Sequence, residues 1–263
     1  MLFDVDSKNF SWGPGEDNDG EDFVILSSDH DLRDHYDFLV FTDSKGMTLL
    51  QEDVRNTWTY MFAQDRIKTG YSVLLITRPK IITVFFTLVN FVRNNGVKFT
   101  YLVTNLGFVD HTPKKREFLD DIVQQLPEQF PQSELSLKEL GTYTLSSGEN
   151  QLLCSFNYSN ISELIGDEIR RAFKFCVLIG IIEFNNTIKI SRSRPDCFYD
   201  QLNAANEFIF NISKNSASLI FFQYLRAPLY DPEKVSYDAV HFTSFGHKQL
   251  FENIKTLLGN YSI

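Results

Sequence analysis

The chain has 263 residues, 43% of them apolar, and a formal net charge of −9. That length suits one large domain or two small ones and supplies a sizeable core. The acidic balance argues against a nucleic-acid binder, which would carry a basic face.

The charge is uneven. Residues 1–36 hold ten acids and two bases, whereas residues 37–263 are nearly neutral at −1. The first segment therefore reads as an acidic N-terminal extension on a neutral globular body. It lacks the basic and apolar regions of a signal peptide. The longest apolar-rich run, "IITVFFTLVNFV" at 81–92, has twelve residues, and a membrane span needs about 20. No membrane span is expected. Cys154, Cys176 and Cys197 are odd in number and lack metal-ligand spacing, so reduced thiols in a cytoplasmic protein are expected.

Taken in chain order, "FVILSSD" at 23–29 suggests an edge strand. Residues 38–41 are apolar without alternation, as in a strand covered on both faces. Helical spacing follows over 47–64. "YSVLLIT" at 71–77 is a second buried strand, and Pro79 suits the first turn of a helix reaching about residue 94. "VKFTYLV" at 97–103 is the third strand, followed by the helical "PKKREFLDDIVQQL". Residues 127–166 read as an insertion with a hairpin around "TYTLSSGENQLLCSF". A helix over 162–173, the strand "FCVLIGII", the helix "DQLNAANEFIFNI", the strand "ASLIFFQYL" and a last helix, "FGHKQLFENIKTLL", complete the chain. This alternation predicts one three-layer α/β/α sandwich around a five-stranded parallel sheet.

Ligands of such sheets gather at the carboxyl ends of the strands. Asp43 and Ser44 follow the first strand, Thr77 and Arg78 the second, Asn105 the third, and Asp238 and His241 the fifth. A serine hydroxyl becomes a useful nucleophile when a base takes its proton. Histidine has a suitable pKa, and a carboxylate on its other ring nitrogen fixes the tautomer. A side-chain amide and backbone N–H groups can hold an oxyanion. A helix N-terminus at Ser44 would add its dipole. Each residue alone has a plainer role: Ser44 as an N-cap, Asn105 as a turn residue, Asp238 and His241 as a surface pair. Arg78 reads equally as an anion clamp or a loop cation. The cluster "DHDLRDH" at 29–35 has the spacing of no established metal site. Neither a metal nor another cofactor is expected.

The order and contexts of these residues resemble the SGNH hydrolases, the GDSL-type esterases and lipases. Thr42-Asp43-Ser44 resembles their Gly-Asp-Ser block, and Val103-Thr104-Asn105-Leu106 their Gly-x-Asn-Asp block. Asp238-Ala239-Val240-His241 matches their Asp-x-x-His in full. "FTSFGHKQLFENI" continues as that family does. The resemblance covers about residues 37–258 without the insertion. It implies a flavodoxin-like strand order, 2-1-3-4-5, within a hydrolase domain over 37–263. It also implies Ser44 as nucleophile, His241 as base and Asp238 as its orienter. The oxyanion hole would use Ser44, Asn105 and Arg78. Thr42 stands where the family has glycine and Leu106 where it has an acid. The loop "ITRPK" lacks the family's second-block glycine. The implied activity is hydrolysis of a carboxylic ester through an acyl-enzyme, on a small-molecule or glycan ester with a short acyl group. Two alternatives stay open: an acyltransferase using the same triad, and a non-catalytic binding module.

Overall fold

The computed structural model describes residues 2–4, 24–27, 34–46, 54–77, 84–94, 96–117, 119–120, 123–124, 136–144, 147–157, 161–181, 197–214, 216–222, 231–236, 238 and 240–263. Nine strands are found among them: β1 (Leu2–Asp4), β2 (Val24–Ser27), β3 (His35–Thr42), β4 (Val73–Thr77), β5 (Lys98–Thr104), β6 (Ser136–Thr144), β7 (Asn150–Asn157), β8 (Phe175–Ile179) and β9 (Leu219–Phe222). The helices are α1 (Trp58–Lys68), α2 (Val84–Asn94), α3 (Phe108–His111), α4 (Ile161–Ala172), α5 (Phe198–Ser213), α6 (Pro232–Val235) and α7 (Ser244–Asn260).

The strands β4-β3-β5-β8-β9 run parallel in that order. Numbered among themselves, they give the expected 2-1-3-4-5. Two strands from the acidic segment lengthen this sheet. β2 pairs antiparallel with β4, and β1 pairs parallel with β2 at the outer edge. The strand read at 23–29 is thus one place in from the edge.

The apolar runs lack alternation because both sheet faces are covered. Leu39, Phe41, Leu74, Ile76 and Leu102 face one core with residues of α2, α4 and α5. Phe38, Val40, Val73, Leu75 and Val103 face the other with Trp58 and Phe62 of α1 and Leu250 and Ile254 of α7. These are the three layers. The suspected hairpin is present as β6 and β7, paired antiparallel with a bulge between Glu139 and Gly141.

Two expectations near the site need correction. Ser44 does not open an α-helix; it begins a 3₁₀ turn, Ser44–Gly46. The helix read over 47–64 is α1, which begins at Trp58 behind its N-cap Thr57. Residues 47–53, which follow this turn, lie outside the described residues. The start of the helix read from Pro79 lies outside the described residues, and α2 runs from Val84.

Candidate active site

Parallel strands end on one edge, so the residues following β3, β5 and β9 share it. β3 and β5 are neighbours with Phe41 opposite Thr104, which sets Asn105 beside the Asp43-Ser44 turn. The Ser44 hydroxyl lies 3.0 Å from Nε2 of His241. On the other side of the ring, Nδ1 is 2.8 Å from Oδ2 of Asp238. With Nδ1–H donating to the carboxylate, Nε2 is left as acceptor toward the serine.

The spacing Asp-x-x-His has a local cause. Oδ1 of Asp238 accepts the N–H groups of Val240, at 3.1 Å, and His241, at 2.8 Å. The carboxylate thus folds over its own loop, and its second oxygen meets the ring. Neighbouring bonds pin this loop. Ser236 donates its hydroxyl to the His241 carbonyl at 2.7 Å, and the Thr243 N–H reaches the Val235 carbonyl at 2.8 Å. Thr243 also caps α7 by accepting the Gly246 N–H. Gly246 is needed here: a Cβ on it would stand 2.2 Å from the Val235 carbonyl oxygen. Asp238 and His241 are both buried, so their mutual hydrogen bond is screened little by water.

The Ser44 turn is built as tightly. The Asp43 carbonyl accepts the Gly46 N–H at 2.9 Å, and Oδ1 of Asp43 accepts the Lys45 N–H at 2.9 Å. The Lys45 ammonium pairs with Oδ2 of Asp43, and both residues are buried. Trp58 donates its indole N–H to the Lys45 carbonyl at 3.3 Å, and Thr59 donates its hydroxyl to the Gly46 carbonyl at 2.7 Å.

Asn105 is 1% exposed, and neither atom of its amide has a hydrogen-bond partner among the described residues. A buried amide without partners costs about 1–3 kcal/mol and calls for a reason. Arg78, the remaining oxyanion candidate, lies outside the described residues; β4 ends just before it, at Thr77.

A five-stranded parallel sheet in this order, carrying Ser44, Asn105 and Asp238–His241 after its first, third and fifth strands, is the arrangement the sequence resemblance implied. The strand order is flavodoxin-like. No family model and no curated protein matches the sequence. Among solved structures, TesA aligns over 84% of this chain and 97% of its own, at 15% identity and a TM-score of 0.47. A catalytic mutant of Axe2, an acetylxylan esterase from Geobacillus stearothermophilus, aligns over 82% of this chain and 91% of its own, at 11% identity and a TM-score of 0.47.

The departures from the SGNH motifs have packing explanations. Thr42 replaces a glycine, and its hydroxyl lies 3.0 Å from that of Thr77 across β3 and β4. Its side chain fills space that a residue at 46 would otherwise use: a Cβ on Gly46 would stand 2.2 Å from the Thr42 hydroxyl oxygen. Leu106, in place of an acid, is 1% exposed and belongs to the core on the α2 side.

Sequence reasoning missed Lys45 and Ser236. A lysine and a serine in loops carry no pattern that marks them as buried, because their burial depends on contacts with distant segments. His247 sits in α7 with its Nδ1 accepting the Trp58 N–H at 3.3 Å, which ties α7 to the start of α1. A cavity of about 540 Å³ opens between the hairpin and α5, lined by Lys138, Ser155, Gln201 and Glu207 among others. Ser44, Asn105, Asp238 and His241 do not line it. Among the described residues, no helix is long and apolar enough to cross a membrane.

Proposed function

We propose that the protein is a serine hydrolase of the SGNH family that cleaves a carboxylic ester through an acyl-enzyme. The observation that carries this reading is the continuous chain of short contacts from Ser44 Oγ through the His241 ring to Asp238, at 3.0 and 2.8 Å. A structural histidine needs only one such partner. One that accepts at Nε2 from a serine and donates at Nδ1 to a carboxylate is arranged to move a proton.

In the proposed reaction His241 Nε2 takes the Ser44 proton as Oγ bonds to the ester carbonyl carbon. The carbonyl π electrons move to oxygen. The resulting oxyanion would be held by the Ser44 N–H and the Asn105 amide, with Arg78 as a third donor from the β4 loop. The Lys45 and Gly46 N–H groups are already committed to Asp43. Collapse re-forms the carbonyl and breaks the bond to the alcohol oxygen, which takes the proton from Nε2. A water molecule then repeats the sequence, releasing the acid and restoring Ser44. Asp238 stays ionised and stabilises the imidazolium. The substrate is proposed to be a small-molecule or glycan ester with a short acyl group.

A fluorophosphonate probe should label Ser44 in the wild-type protein. His241→Ala should abolish labelling and lower turnover of p-nitrophenyl acetate by several orders of magnitude. Folded wild-type protein that is neither labelled nor active would overturn the hydrolase and leave a binding module.

A further inference from the structure

Ser44 is flanked by two buried charges. Asp43 is fully buried and Lys45 is 2% exposed. Isolated buried charges are expensive, so they persist only where paired and hydrogen-bonded. This pair is both. Oδ1 of Asp43 takes the Lys45 N–H and Oδ2 takes the Lys45 ammonium, so the carboxylate grips backbone and side chain of one residue. Ser44 sits within the loop thus closed.

The lysine also reaches outward. Its ammonium lies 5.7 Å from the centroid of the Phe108 ring, at the start of α3. Cation–π attraction at a dry site holds such a pair together. Phe108 is anchored in turn by an edge contact with Phe198 of α5, at 5.8 Å. The segment between β5 and Phe108 is Asn105, Leu106 and Gly107. One side chain therefore connects the turn carrying Ser44 with the short loop carrying Asn105.

We infer that Lys45 is a positioning residue that sets both oxyanion donors, the Ser44 N–H and the Asn105 amide, relative to one another. This rests on the hydrolase reading above. The physical content is twofold. The closed Asp43–Lys45 loop fixes the direction of the Ser44 N–H. The ammonium also cancels a carboxylate that would otherwise stand uncompensated beside a developing oxyanion. Without the lysine, the negative charge of Asp43 opposes the transition state, while binding of a neutral ester is untouched.

The test uses p-nitrophenyl acetate with Lys45→Met and the neutral pair Asp43→Asn/Lys45→Met. Lys45→Met should lower kcat by about 10²–10³, the scale of one lost oxyanion donor, with KM nearly unchanged. The neutral pair should recover much of that loss, because it removes the stranded charge with the lysine. It also keeps the test open if Lys45→Met alone fails to fold. Amide hydrogen exchange supplies a readout independent of turnover. In Lys45→Met, or in the neutral pair if the single variant does not fold, exchange should quicken at residues 44–46 and 105–108 together, with β3 and β5 unaffected. An unchanged kcat in folded Lys45→Met would overturn the inference. So would a raised KM at constant kcat, a neutral pair no better than the single variant, or quickened exchange at one loop alone. If the wild type neither hydrolyses the ester nor reacts with the fluorophosphonate, the hydrolase reading fails, and amide exchange still decides whether Lys45 joins the two loops.

Discussion

Replacing Asn105 with alanine should separate activity from stability. Both amide atoms of Asn105 are buried and without partners among the described residues. Removing them relieves a desolvation penalty of about 1–3 kcal/mol. The truncation also leaves a small void next to Leu106 and Thr104, whose expected penalty is on the order of 1 kcal/mol. The two terms oppose each other, so Asn105→Ala should be between neutral and about 2 kcal/mol more stable than wild type. In a chain of this size that is a rise in Tm of at most roughly 4 °C. Turnover should move the other way. One lost oxyanion donor costs about 10²–10³ in kcat. Urea unfolding and steady-state kinetics on p-nitrophenyl acetate, run on one preparation, give both numbers. A loss of about 2 kcal/mol or more in stability with kcat unchanged would refute the reasoning. It would mean that the amide is structural.

Two further outcomes follow from contacts around the site. Gly46→Ala should disrupt the Ser44 turn, because its Cβ would fall 2.2 Å from the Thr42 hydroxyl oxygen and 2.8 Å from the Thr42 Cβ; adding Thr42→Gly, which removes both atoms, should restore part of the lost stability in thermal melts, and no restoration would show that the clash lies elsewhere. His111 is buried beside the site loop with its ring bonded to the Gly107 carbonyl at 2.7 Å, and burial pulls its pKa down from 6.5 to about 4. The unfolded chain therefore takes up a proton below about pH 6.5 that the folded chain refuses until about pH 4. Stability present above pH 6.5 should fall as the pH drops through that window, by about 3 kcal/mol, and level off below it. His111→Gln should flatten that slope in pH-dependent urea titrations, and an unaltered slope would remove His111 as its source.

Much of the architecture can be read from local pattern alone. Buried parallel strands such as β3 and β4 announce themselves as unbroken apolar runs, and each must be followed by a crossover back to the same edge. Asp238 and His241 are legible for a similar reason: their geometry is made within one loop, by a carboxylate folding onto N–H groups two and three residues ahead. Ser44 is legible only as a strand-end serine. The sequence contains neither the 3.0 Å contact to His241, 197 positions away, nor the 3₁₀ form of its turn. That turn depends on Asp43 meeting Lys45 out of water and on the Trp58 and Thr59 side chains binding its carbonyls. The same limit applies to the crowding of Gly46 by Thr42, to the core packing of Leu106, and to β1 joining the sheet outside β2. Local pattern is fixed by backbone sterics and side-chain periodicity, which act within a few residues. Burial of a charge, the space left for a Cβ and the partners of an amide are set by segments far apart in the chain, and only folding brings those together.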